Sequence, residues 1–317
     1  MKMPMRVLQI AILMALLSVV PANAYAWQDT DTTAGAGQGG SAETEKLTWR
    51  LKQGQKFNVT LSKTADIKTK VDTRVRKVDA ETTMELGWEV VSSSDTGAVI
   101  RQTLNRIRLS SGAPGDVSAR RLDYDSAVKI YRKGLSGKVT KQYQKAIGLV
   151  STFTLSPVGL VSNFANEAGQ EKKTAKLPDE SAVKEMLTGQ SAATKISQLT
   201  DLSWQSALTE RNDSAVVKRP VKSELGDFVR VDRYQIKSND GQTQVEVETS
   251  AEGLEGKSSP AKVDRYQGQG SIKFNDGAGF VTSSTSTMTV ASKTPYRDMQ
   301  VESLTEVQTT MTLNQTN

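Results

Sequence analysis

The stretch Met299–Leu313, MQVESLTEVQTTMTL, decides the fold class. Met299, Val301, Val307, Met311 and Leu313 fall on odd positions; Gln300, Glu302, Glu306 and Gln308 fall on even ones, and Leu304 alone breaks the pattern. A period of two sends alternate side chains to opposite faces, so this is one long strand with an apolar and a solvated face. At about 12 to 15 residues, the last strands of the chain exceed the usual five or six. A strand of that length must shelter its apolar face in a bent sheet or under a second layer.

Working outward, the same period recurs. Leu47, Trp49 and Leu51 alternate with polar residues, as do Phe57, Val59 and Leu61 after a Gln53-Gly54 turn. Ile67, Val71 and Val75 form a further row, then Met84, Leu86, Trp88 and Val90. After Ser94-Asp95-Thr96-Gly97, the run Ala98–Leu109 is strand-like. In the C-terminal third, Val229–Ile236, Gln244–Thr249, Lys262–Gln267, Gly270–Phe274 and Phe280–Ala291 precede the opening stretch. Their separators include Asn239-Asp240-Gly241 and Asn275-Asp276-Gly277, which supply the positive φ of tight hairpins, and Thr294-Pro295-Tyr296.

The middle changes period. Val139, Tyr143 and Ile147 lie on one face of a helix. Leu149–Leu155 and Leu160–Phe164 form a short hairpin around Ser156-Pro157-Val158-Gly159. Past Leu177-Pro178-Asp179, Val183, Met186 and Leu187, then Ile196 and Leu199, give two short amphipathic helices broken near Gly189. The predicted fold is therefore mainly β (α+β): a strongly curved antiparallel sheet or half-barrel of long strands with a few amphipathic helices packed on it. Residues 46–317 form one domain, with strand-rich halves 46–165 and 205–317 joined by a helical segment 166–204. The pentapeptide Val-Asp-Arg-Tyr-Gln, at Val231–Gln235 and Val263–Gln267, marks either equivalent strand positions or coincidence.

The first 26 residues read as a secretory signal peptide. Lys2 and Arg6 precede an apolar run Val7–Val20, then Pro21 and two A-x-A sites ending at Ala24 and Ala26. That core is about 14 residues, short of the roughly 20 a spanning helix needs. Residues 27–45, rich in Gly, Ser and Thr, form a flexible linker. The chain is thus expected to be exported to the periplasm or beyond, with no membrane-spanning segment after cleavage. Without any Cys it has no acylation site for a lipoprotein and no disulfides.

Absent residues also bound the chemistry. There is no His, so Ser-His-Asp triads and most transition-metal sites fall away. Ser-x-x-Lys pairs occur at Ser126/Lys129, Ser181/Lys184 and Ser259/Lys262, about as often as chance gives, and no Ser-Asp-Asn or Lys-Thr-Gly accompanies them. Ala251–Ser258 resembles a phosphate loop, but Ala251 replaces the first glycine and Pro260 prevents the helix that would follow. Asp123 and Asp125 share a strand face without the six to eight oxygens calcium needs. No enzyme activity, cofactor, metal or nucleotide is expected.

Net charge is +6, of which the signal peptide carries two positives. Between Arg101 and Lys145 eleven basic residues face Asp116, Asp123 and Asp125 alone. Arg101, Arg106, Arg108, Arg120, Arg121, Lys129, Arg132 and Lys133 are the candidate contacts for an anionic surface, set against the simpler reading of a solvated face.

The order of several motifs resembles an uncharacterised family, a domain of unknown function, of exported bacterial envelope proteins. They are Leu47–Phe57 (LTWRLKQGQKF), Arg106–Leu109, Leu122–Ser126 (LDYDS), Phe153–Leu160 (FTLSPVGL), Gly268–Asn275 (GQGSIKFN), Thr282–Val290 and Thr305–Leu313. Many such members look like lipoproteins, from which this chain departs by lacking Cys. The resemblance implies no activity and no site residues; its shape is similar to the curved half-barrels of periplasmic lipoprotein carriers.

Two functions follow. One is a non-catalytic module binding a lipid or other apolar or amphipathic ligand on the concave face beneath the helices, which a tightly filled concavity would rule out. The other is a structural or interaction protein of the cell envelope, binding another protein or an anionic polymer. A carboxylate-based glycan enzyme is set aside unless facing carboxyls line a cleft.

Overall fold

Alternation along the strands assembles one sheet with a sheltered inner face. The computed structural model describes residues 46–113, 122–128, 137–178, 182–208, 213–223, 226–239, 241–253, 262–296 and 299–316. Twelve strands run β1 (Lys56–Val71), β2 (Arg74–Ser94), β3 (Gly97–Gly112), β4 (Leu122–Asp125), β5 (Val150–Leu155), β6 (Val161–Asn166), β7 (Ser214–Ser223), β8 (Gly226–Asn239), β9 (Gln242–Glu252), β10 (Lys262–Asn275), β11 (Phe280–Tyr296) and β12 (Met299–Thr316). They form a single antiparallel sheet ordered β6-β5-β3-β2-β1-β12-β11-β10-β9-β8-β7, with β4 added to β3. The edges β6 and β7 do not pair, so the curved sheet stays open. The first and last strands meet at its centre, where Lys56 pairs with Thr316 and Val71 with Val301.

Among the described residues there are also four α-helices and a 3₁₀ turn: α1 (Gly137–Ala146), α2 (Glu171–Thr174), α3 (Ala182–Leu187), α4 (Gly189–Thr200) and the turn Ser203–Ala207. The main core joins the inner rows of β1 to β3, such as Phe57, Leu86, Trp88 and Ile100, to Leu187, Ile196 and Trp204 of the helical segment. A second cluster, including Phe228, Tyr266, Met288, Val290 and Val307, occupies the inner face further along the sheet.

Several sequence expectations are corrected. Ile67 to Val75 is two strands: Asp72, at φ 52°, turns the chain between Val71 and Arg74, and Val75 is exposed. β7 was not expected. Its Pro220 argues against a central strand, and the strand does lie at an edge, where a missing N–H costs nothing. Lys262–Gln267 and Gly270–Phe274 are one strand, β10. Gly268 and Gly270 do not end it; they sit where β11 approaches too closely for a side chain. A Cβ on Gly268 would sit 2.8 Å from the Thr287 carbonyl oxygen, and one on Gly270 2.8 Å from that of Thr285. Nor does β11 stop at Thr294: it runs through Pro295 and Tyr296.

The repeated pentapeptide does not occupy equivalent positions. Across the shared neighbour β9, Val231 and Gln267 both face Ser250, an offset of four residues. A register shift between Val263 and Arg265 also turns Asp264 outward to Lys293, whereas Asp232 is fully buried.

The helical segment is pinned across the inner face. Thr200 Oγ1 donates to the Gly159 carbonyl at 2.5 Å, Leu202 N–H to Val158 O at 2.8 Å, and Trp49 Nε1–H to Thr200 O at 3.1 Å. Gln205 brackets Leu47 from the other end, accepting from its N–H at 2.7 Å and donating to its carbonyl at 3.0 Å.

Candidate functional site

Antiparallel register builds a trough of small side chains across the inner face. Lys63 of β1 pairs with Thr309, Thr309 with Ser286, Ser286 with Gly270, Gly270 with Val247, and Val247 with Tyr234. Directly paired residues share a face, so these six form one row across β1, β12, β11, β10, β9 and β8. The rows on either side are bulkier, with Leu61, Met311 and Ile272 on one flank and Val307 and Met288 on the other. Small side chains between large ones leave space, and α3 and α4 roof it. The result is a cavity of about 140 Å³ at the seam between the two clusters, its roof including Met186, Lys195 and Leu199.

Charge concentrates on these walls in a way the apolar pattern does not account for. Lys63 interrupts the inward row Phe57, Val59, Leu61, Ala65 and Ile67. Lys195 interrupts the buried stripe Ala192, Ile196 and Leu199 of α4. Burial drives the Lys195 amine down from 10.5 to about 8, helped by the nearby Lys63 ammonium and opposed by Glu185. Both lysines are half-buried, and neither forms an ion pair with a carboxylate among the described residues.

At the other end of the row the charges are paired. Asp232 is fully buried, accepting from Arg219 Nη1 and Arg230 Nε at 2.8 Å each and from Thr249 Oγ1 at 2.7 Å. Arg219 Nη2 also reaches Asp201 at 3.2 Å, whose second oxygen accepts from Ser203 N–H at 2.7 Å. All four carboxylate oxygens of Asp201 and Asp232 are thus engaged. Tyr234 stacks on Trp204 with centroids 4.8 Å apart and planes 5° apart. Burial pushes the Tyr234 phenol up to about 12, so its O–H stays protonated and available as a donor.

The basic residues singled out from sequence do not line this cavity. Arg101 pairs with Glu167 at 3.0 Å, and Arg106 grips Asp125 with contacts of 2.9 and 2.5 Å and reaches Glu85 at 3.5 Å. Arg108 also takes Glu85, at 2.7 Å. The Arg106 hydrogen bonds hold the Asp125 carboxyl below its ordinary range. Arg120, Arg121, Lys129, Arg132 and Lys133 lie outside the described residues. Of the other sequence candidates, Ser126 Oγ accepts the Ile107 N–H at 2.9 Å, a structural role. Among the described residues no helix is long and apolar enough to cross a membrane. The signal peptide and linker fall outside them.

No protein-family model matches the chain, and no curated protein matches it. Solved structures give distant likenesses. Lipovitellin, from a structure of its lipid–protein interactions, aligns with 83% of this chain at 12% identity and a TM-score of 0.46, and the alignment spans about a quarter (25%) of lipovitellin. An outer-membrane channel from Pseudomonas putida F1 aligns with 86% of this chain and 100% of its own at 10% identity, TM-score 0.21. Ail, the attachment invasion locus protein of Yersinia pestis, aligns at 6% identity over 82% of this chain and 99% of its own, TM-score 0.15. At these scores none bears on function, and the case rests on the cavity.

Proposed function

We propose that this protein is a non-catalytic binding module of the bacterial cell envelope, reached by export, that holds an apolar or amphipathic ligand between the sheet and helices α3 and α4. The observation that carries this is the roofed trough, with apolar flanks and a charged rim. Most ligand pockets combine an apolar lining with a few placed polar groups. The two clusters flank the cavity, so the ligand must be small or must leave part of its length outside. A cavity of about 140 Å³ is close to the roughly 150 Å³ that admits a benzene-sized solute. A ring or a chain of a few carbons fits; a whole diacyl lipid does not unless α3 and α4 lift.

One feature favours a non-catalytic role: the Asp201 and Asp232 carboxylates are committed to arginines and to Thr249 and Ser203, which leaves Glu185 as the carboxylate on the cavity wall outside that network. The alternative role is an envelope protein binding another protein or an anionic polymer; of its candidate contacts, Arg101, Arg106 and Arg108 are paired with acidic residues from neighbouring elements, and the other five lie outside the described residues.

Native mass spectrometry of the protein purified from its own export compartment, with solvent extraction alongside, tests the reading. A reproducible bound small amphiphile supports it. A clean apo protein that stays empty when incubated with extracted envelope lipids overturns it.

A further inference from the structure

Four cations occupy inward positions: Lys63 on β1, Lys195 on α4, Arg219 on β7 and Arg230 on β8. The two arginines are explained by Asp232 and Asp201. The two lysines are not explained. Taking an ammonium out of water is costly unless a partner repays it, and placing two side by side adds repulsion. Glu185 on α3 is the carboxylate that acts on Lys195 electrostatically, and the two close no ion pair among the described residues. A packed core gains nothing from this pair, whereas a site awaiting a negative charge does.

Charge also sets the valence. Among the described residues, Lys63 from β1 and Glu185 from α3 act on Lys195, and the cavity wall also carries Asp201, Arg219, Arg230 and the Tyr234 phenol, tied together through Asp232. Lys63, Lys195 and Glu185 sum to a single positive charge. The trough then leads away from Lys63 through Thr309, Ser286 and Gly270 toward Val247. We infer that Lys63 and Lys195 form the headgroup site for a monoanionic amphiphile such as a carboxylate, whose short apolar tail lies along the Thr309–Ser286–Gly270 trough. This rests on the binding-module reading and adds the class of headgroup to it.

The half-burial that weakens the Lys195 proton in the empty protein makes the site pH-dependent. Below about pH 8 the ammonium is already present to meet a carboxylate. Above it, binding must draw in a proton, so carboxylate affinity falls by up to about tenfold per pH unit until the amine's pKa in the complex is reached. A neutral ligand of the same length feels none of this.

Isothermal titration of the mature protein with hexanoate and with hexan-1-ol separates the possibilities. At pH 7, hexanoate binds at least about tenfold more tightly than hexan-1-ol, and Lys195→Met abolishes that preference by lowering the affinity for hexanoate. Lys63→Met, a second variant, weakens hexanoate in the same direction, and Glu185→Gln strengthens it a few-fold. Raising the pH from 7 to 9.5 weakens hexanoate at least about tenfold and not hexan-1-ol. Equal binding of acid and alcohol, or an acid preference that survives Lys195→Met, overturns the headgroup assignment while the binding-module reading stands. Failure of both probes to bind overturns the cavity reading beneath it.

Discussion

Replacing Lys195 by methionine should make the protein more stable at neutral pH, which a substitution at an ordinary buried position rarely does. Methionine keeps the length of the side chain and its packing against α3, and removes only the charge. The fall of the amine from 10.5 to about 8 corresponds, at ~1.4 kcal/mol per pH unit, to a ceiling of about 3–4 kcal/mol for holding that charge in the fold. Lys195 is only half-buried, and water reaching the ammonium reduces this, so a gain of about 1–2 kcal/mol at pH 7 is expected. The sign follows from linkage. Between about pH 8 and pH 10.5 the unfolded chain holds a proton on this amine and the folded chain does not, so this group makes wild-type stability rise with pH across that window. Below it the penalty is complete; above it the penalty is gone. Urea melts of wild type and variant at pH 7, 8.5 and 10 give the difference directly, since other titrating groups cancel. A gain that shrinks steadily toward pH 10 is expected. A variant less stable than wild type at pH 7, or a pH-independent difference, would refute the reasoning.

Two further outcomes follow from the same geometry. Asp232→Asn should cost about 3–5 kcal/mol in urea melts, because it takes from the half-buried Arg230 and Arg219 guanidinium groups the carboxylate they share. Replacing the Arg230–Asp232 pair together by Met and Leu should cost clearly less, and equal costs would contradict the account. Gly159→Ala places a Cβ 1.8 Å from the Thr200 carbonyl oxygen at φ +79°, while Gly169→Ala shares a positive φ of +82° with open space around it. The first should lose at least ~2 kcal/mol more than the second, whose cost of ~1 kcal/mol is backbone alone.

Much of the fold was legible in the alternation of Met299–Leu313 and Phe57–Leu61, because a period of two is read locally and each long strand carries several repeats of it. What failed was punctuation. Pro220 and the pair Gly268 and Gly270 are breaker residues that here mark an edge and a close approach of β11, and only the neighbouring strands distinguish those uses from an ending. The site was legible in part. Lys63 stands in the inward row of β1 and Lys195 in the apolar stripe of α4, and a charge at either position is a local contradiction visible in the sequence. For Arg101, Arg106 and Arg108 the opposing carboxylates Glu85 and Glu167 come from β2 and from the residue just past β6, which counting along the chain cannot bring together. The Arg219–Asp232 network was hidden because it depends on β7 and on pairing across strands.

Methionine placement offers the most direct test of where a ligand sits. Met84 from β2, Met186 from α3 and Met288 from β11 line the cavity, whereas Met299 begins β12 away from it. Titrating hexanoate or hexan-1-ol into protein carrying ¹³C-methyl methionine should shift the Met84, Met186 and Met288 signals together and leave Met299 in place. Cavity methionines that do not move at saturating ligand, or a response centred on Met299, would contradict binding beneath α3 and α4.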